Sequence, residues 1–99
     1  MASVKEICSV LIRMSGLLLF CDLEDWACVL IQFANRVEEG CPVVRAEILR
    51  LFGGMGSLND LVLHKDGHVL NDENEVFDAL RERLYELIRD QLTLDSENR

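Results

Sequence analysis

The sequence predicts a mainly α fold: a small four-helix domain with a short β-hairpin between the third and fourth helices. Three observations carry that expectation. Apolar residues recur at three- and four-residue intervals in four separate stretches. Glycine and proline punctuate the chain at Gly40, Pro42 and Gly53, where helical patterns stop. Asp66-Gly67 sits between two short apolar runs, the signature of a tight hairpin.

The first helix is expected from Ser3, which has capping-box spacing to Glu6; Val4, Ile7, Leu11, Met14 and Leu18 then mark its buried stripe. Gly16 weakens it near its end. The second helix is expected to start near Asp22, with Glu24 and Asp25 at the positive end of its dipole. Leu23, Trp26, Leu30, Phe33, Ala34 and Val37 give its apolar face. The third, shorter helix follows Pro42 and buries Val44, Ile48, Leu51 and Phe52. LVLHKDGHVL then reads as two short strands. A lone hairpin is barely stable, so it must lie on the helices. The last helix is expected from Asp72, capped reciprocally with Glu75, and lined by Phe77, Leu80, Leu84, Leu87 and Ile88. It fades near Leu92. Residues 1–99 thus read as one domain with a disordered tail over 93–99. The expected core is Ile7, Leu11, Trp26, Leu30, Phe33, Ile48, Phe52, Leu80, Leu84 and Leu87.

Composition narrows the function. Hydrophobic residues make up 49% of 99, too many for a disordered chain. A domain of this size buries only about two-thirds of its unfolded surface, so some apolar residues must stay exposed or meet a partner. Eighteen Asp and Glu face ten Lys and Arg, for a net charge of −8. With no cluster of bases, binding to nucleic-acid backbones or anionic membranes is disfavoured, whereas a basic protein partner is allowed. The acids concentrate in the second half: residues 60–99 carry eleven acids and five bases, residues 1–59 seven and five.

Cys8, Cys21, Cys28 and Cys41 make no CxxC pair and no Cys–His spacing of a zinc site. Their apolar contexts suit reduced thiols in a cytoplasmic protein. The apolar run Val10–Phe20 ending at Cys21 is a poor lipoprotein signal. Arg13 interrupts it, and Phe20 is too bulky before a cleavage site. No apolar stretch is long enough to span a bilayer.

The segment GGMGSLND, residues 53–60, holds half of the six glycines. It lacks the lysine of a phosphate-binding loop, and a helix rather than a strand precedes it. It reads first as a chain reversal and second as a docking surface. In the latter role Gly54, Met55, Gly56, Ser57, Asn59 and Asp60 meet a partner, with Met55 as a flexible anchor. A small-anion site is the weakest reading, because Asp60 opposes it. On the last helix Asp78, Glu82, Glu86 and Asp90 are spaced by four and predict an acidic ridge. Such a ridge steers a basic partner, and Asp78, Glu82 and Glu86 join the glycine segment as candidate partner-binding residues. His64 and His68 flank the hairpin turn. Two imidazoles with Asp66 make a thin ligand set, and no positive surroundings activate a cysteine. No catalytic residue, cofactor or metal is therefore expected.

At residues 52–63, FGGMGSLNDLVL, the chain resembles a family of small bacterial domains of unknown function. Its members carry an aromatic residue, GGMGS, a Phe or Leu, then NDL, after two or three helices. The likeness is specific from Phe52 to Leu63 and extends in pattern over residues 20–92. It implies a compact helical domain of bacterial origin and no activity. Small acidic bacterial domains are similar in style to immunity proteins that neutralise toxins, an analogy of type rather than a shared motif.

The sequence thus ranks a non-enzymatic protein-interaction module first, as an immunity protein occluding a basic toxin. The first alternative is a small-ligand protein or enzyme using the 53–60 turn with His64 or His68. The second is a homodimeric structural protein paired through excess leucines, including Leu17 to Phe20.

Overall fold

The computed structural model describes residues 2–52, 58 and 61–97. Its elements run α1 (Ala2–Phe20), α2 (Glu24–Glu38), α3 (Val44–Arg50), β1 (His64–Lys65), β2 (His68–Val69) and α4 (Asn71–Glu97). The expected class is observed: four helices, with a two-stranded antiparallel hairpin between the third and the fourth.

Helix α1 lies between α2 and α4, and α3 bridges α2 and α4. The pairing of α1 with α2 is antiparallel. A tight turn joins them at one end, and the Cys8 thiol donates to the Ala34 carbonyl near the other. Glu6, early in α1, accepts from Arg83 in the middle of α4. Lys65, just before α4, donates to the carbonyl of Phe20 at the end of α1. Helices α1 and α4 therefore also run antiparallel. At about 1.5 Å per residue, the 27 residues of α4 make it the longest element, reaching Glu97 beyond the Leu92 limit of the apolar pattern.

Matching hydrogen-bond motifs end α1 and α2. After α2, the Cys41 N–H reaches Arg36 O and the Gly40 N–H reaches Val37 O, with Gly40 at φ +81°. After α1, the Leu23 N–H reaches Leu18 O and the Asp22 N–H reaches Leu19 O, with Asp22 at φ +61°. Both are Schellman turns, which need a left-handed residue just past the helix. Asp22 thus closes α1 instead of starting α2, which begins at Glu24 behind Leu23 with no side-chain cap. Helix α4 likewise starts at Asn71, placing Asp72 inside its first turn rather than at its cap.

The core contains Ile7, Leu11, Leu30, Ile48, Leu80 and Leu84 as expected, together with Met14, Leu18, Val44, Leu58, Leu63, Phe77 and Ile88. Trp26, Phe33, Phe52 and Leu87 are only partly buried against it. The four thiols are free: Cys21 is buried, Cys8 and Cys41 are half-buried and Cys28 is exposed. Apolar context thus predicts burial for one of the four. No described helix is long and apolar enough to cross a membrane.

The hairpin turn is the expected one. Asp66 and Gly67 both have positive φ, as a type I′ turn requires. Its register pairs His64 with Val69 and Lys65 with His68. Lys65 turns toward α1, its ammonium donating to Phe20 O at 2.9 Å and lying 4.7 Å from the Phe20 ring centre. A cation on the last carbonyls of a helix complements its dipole, so this lysine fastens the hairpin to the end of α1.

Candidate functional site

Phe52 ends the turn after α3, and Tyr85 lies on the facing side of α4. Their rings meet edge to face, centroids 5.3 Å apart, a favoured aromatic geometry. Beside them is a cleft of about 490 Å³ lined by Phe52, Asp78, Arg81, Glu82 and Tyr85. A second recess of about 320 Å³ is lined by Leu61, Val62, Val69, Asn71, Asn74, Asp78 and Arg81. Asp78 and Arg81 border both, so the two form one groove along α4, from the hairpin to the aromatic pair. Val62 and Val69 are half exposed on its wall.

Arg81 organises the groove. Its guanidinium donates to the Leu58 carbonyl at 3.2 Å and to Asp78 at 2.5 Å, and packs over the Phe77 ring. Leu58 is fully buried, and its N–H reaches back to Leu51 O at 2.7 Å. Leu58 therefore lies within hydrogen-bond reach of Leu51, at the end of α3. Gly54, Met55, Gly56, Ser57, Asn59 and Asp60 lie outside the described residues.

Of the four acids spaced along the last helix, the side chains of Asp78, Glu82 and Glu86 are described, and that of Asp90 lies outside the described residues. Each four-residue step on a helix advances about 40° around the axis. Asp78 and Glu82 accordingly border the cleft, whereas Glu86 has turned away and pairs with Arg83 at 3.7 Å. Arg89 packs over the Tyr85 ring. Arg81 pairs with Asp78, and Arg83 with Glu86.

His64 and His68 are not cross-strand partners. Cross-strand partners share a face and neighbours along a strand do not, so the register puts the two imidazoles on opposite faces of the hairpin. Among the described residues, no three His, Cys, Asp or Glu side chains converge in a way that holds a metal.

A second polar cluster joins α2 to α3. The Arg36 guanidinium donates to Cys41 Sγ at 3.5 Å and to the Glu47 carboxylate. This contact, with the backbone N–H of Val43, holds the Cys41 thiol below its usual range. Burial pushes the thiols of Cys8 and Cys21 up.

Sequence reasoning missed Arg81, Tyr85 and Asn74. The helical interval from Asn74 through Asp78 and Arg81 to Tyr85 was the available signal. It marks a polar and aromatic stripe beside the buried face of α4.

The family described as a domain of unknown function, DUF6966, matches residues 21–71, just over half of the chain. The chain belongs to DUF6966. No curated protein and no solved structure is significantly similar to it. The DUF6966 match starts at Cys21, before the turn into α2, and spans α2, α3, the glycine segment and the hairpin, ending at Asn71. Phe52, Leu58, Val62 and Val69 of the groove fall inside it. Asp78, Arg81, Glu82 and Tyr85 follow it on α4.

Proposed function

We propose that this DUF6966 domain is a non-enzymatic binding module that docks a basic protein segment in the groove along α4. The observation that carries the reading is the pairing of exposed carboxylates, Asp78 and Glu82, with an aromatic wall of Phe52 and Tyr85. A lysine or arginine of the partner lays its aliphatic stem on the rings and its charge against Glu82, beside the Asp78–Arg81 pair. Val62 and Val69 extend an apolar path for neighbouring residues. The net charge of −8 adds long-range steering of a basic partner.

In the cell we take the module to be a bacterial cytoplasmic immunity protein that binds a basic toxin and occludes it, with GGMGSLND as the mark of its family. The test is co-expression with the toxic product of a neighbouring gene. Wild-type protein rescues growth, and the Asp78→Lys/Glu82→Lys variant, still folded by circular dichroism, does not. Equal rescue by both, or direct binding unchanged by the double substitution at low salt, overturns the groove as the docking site.

A further inference from the structure

We propose that the outer face of the α1–α2 pair joins two copies of this chain in an antiparallel, two-fold dimer, leaving the α4 groove open. Three observations converge on a second copy as the occupant.

The first is Gly16. It sits inside α1, where glycine weakens a helix. Among the described residues, a Cβ built there meets nothing within 4 Å, so they give no packing reason for it. Around it on the helix surface stand Ile12, four residues before, and Leu19 and Phe20, three and four after. These three are 56%, 48% and 51% exposed. That is a hole rimmed by apolar knobs and by the exposed Arg13, three residues before it, an arrangement by which one helix admits another closely.

The second is the local absence of acids. In a chain with eighteen, α1 holds only Glu6, which is taken by Arg83, and α2 has none between Trp26 and Val37. The antiparallel pairing of the two helices brings exposed Ile31 of α2 level with this part of α1. The middle of this face, apolar and without acids, does not attract a basic partner. It is where another copy of a −8 chain meets least repulsion.

The third is how charge runs along the face. Lys5 lies at one end, and Asp22, Glu24 and Asp25 lie at the other. A two-fold axis near residue 14 places Ile12 over the partner's Gly16 and brings Lys5 to the acidic turn of the second copy. Symmetry makes each contact twice. A face about 28 Å long and two helices wide, about 20 Å, offers on the order of 500 Å² per copy. That is the size of a weak interface, so dissociation in the micromolar range is expected.

Sedimentation of the full chain from about 5 to 500 µM tests this. Wild type shifts from monomer to dimer across that range. Gly16→Gln fills the hole: it weakens dimerisation at least tenfold while raising the melting temperature of dilute monomer by about 3–6 °C. Lys5→Glu also weakens the dimer, and adding Glu24→Lys and Asp25→Lys restores it. The proposal is overturned if wild type stays monomeric at 500 µM, or if Gly16→Gln dimerises as wild type does. It is also overturned if the charge exchange fails to restore association. Asp78→Lys/Glu82→Lys leaves dimerisation unchanged, so failure of the groove and failure of this face are separable.

Discussion

The side chain of Asn74, in the first turns of α4, pairs with both backbone groups of Leu63. Its Oδ1 accepts from the Leu63 N–H at 2.8 Å, and its Nδ2 donates to the carbonyls of Leu63 at 3.1 Å and Leu70 at 2.8 Å. The amide acts as one more residue of the hairpin ladder, joining its base to the start of α4. Leu63 is fully buried, so these backbone groups have no water to turn to.

Asn74→Ala is therefore expected to cost about 1–3 kcal/mol, since it strands the buried Leu63 N–H, whereas the Leu63 and Leu70 carbonyls keep the backbone N–H groups of Leu70 and Asn74. Asn74→Asp keeps the acceptor but aims a carboxylate at two carbonyls. That crowding raises its folded pKa above the ordinary value of about 3.9. A raised folded pKa means protonation favours the fold. The deficit of the variant against wild type is thus largest near neutral pH and shrinks as pH falls through the folded pKa. Urea titrations of both variants at pH 7 and pH 4.5 check this; a deficit constant across that window rejects the clamp.

The two helix-ending turns give a prediction of opposite sign at equivalent positions. Asp22 and Gly40 fill the same left-handed place, φ +61° and +81°, and only Gly40 is the residue that prefers it. Asp22→Gly is expected to stabilise the fold by about 0.5–1 kcal/mol, and Gly40→Ala to destabilise it by about 1 kcal/mol. No heavy atom lies within 4 Å of a Cβ at Gly40, so the second effect reports backbone strain rather than a clash. Chemical denaturation of the two single variants suffices. A stabilising Gly40→Ala contradicts the assignment of that turn.

These turns also show what a sequence can and cannot disclose. Helix periodicity locates all four helices because the buried stripe, as in Ile7-Leu11-Met14-Leu18, is a property of one segment. Asp66-Gly67 is equally local, and the hairpin follows from it. Asp22 misled because the same residue type that caps a helix start also tolerates positive φ at a helix end. Only the Leu23–Leu18 hydrogen bond decides between them. The groove was half legible. Asp78 and Glu82 announce an acidic face by their spacing. Phe52, Arg81 and Tyr85 form a site only once α3 packs on α4, a contact that no local pattern encodes.

The contact between Arg36 and Cys41 predicts a graded thiol reactivity. The guanidinium stabilises the thiolate, so alkylation of Cys41 should persist to lower pH than that of an ordinary thiol, with pKa about 8.5. Cys8 and Cys21, pushed up by burial, should react slowly and only at high pH. Arg36→Met is expected to return the Cys41 profile to the ordinary range without hastening Cys21. Site-resolved mass spectrometry after brief iodoacetamide labelling from pH 6 to 9 reads all of these. An unchanged Cys41 profile in the variant removes Arg36 as the cause.

Arg81 separates support of the groove from recognition by it. Its bond to the Leu58 carbonyl helps hold the chain where it returns from the glycine segment to Leu51. Arg81→Lys keeps the charge but loses the planar fork that serves Leu58 and Asp78 together. The expected loss is about 1 kcal/mol, felt locally. Amide exchange at Leu58 and Leu61 then speeds up about fivefold or more, while amides in the middle of α1 and α2 keep their protection. Glu82→Gln, at the exposed rim of the same cleft, should leave exchange at Leu58 unaltered. If Glu82→Gln loosens Leu58 as much as Arg81→Lys does, the cleft is held by its general charge and not by the Arg81–Leu58 contact.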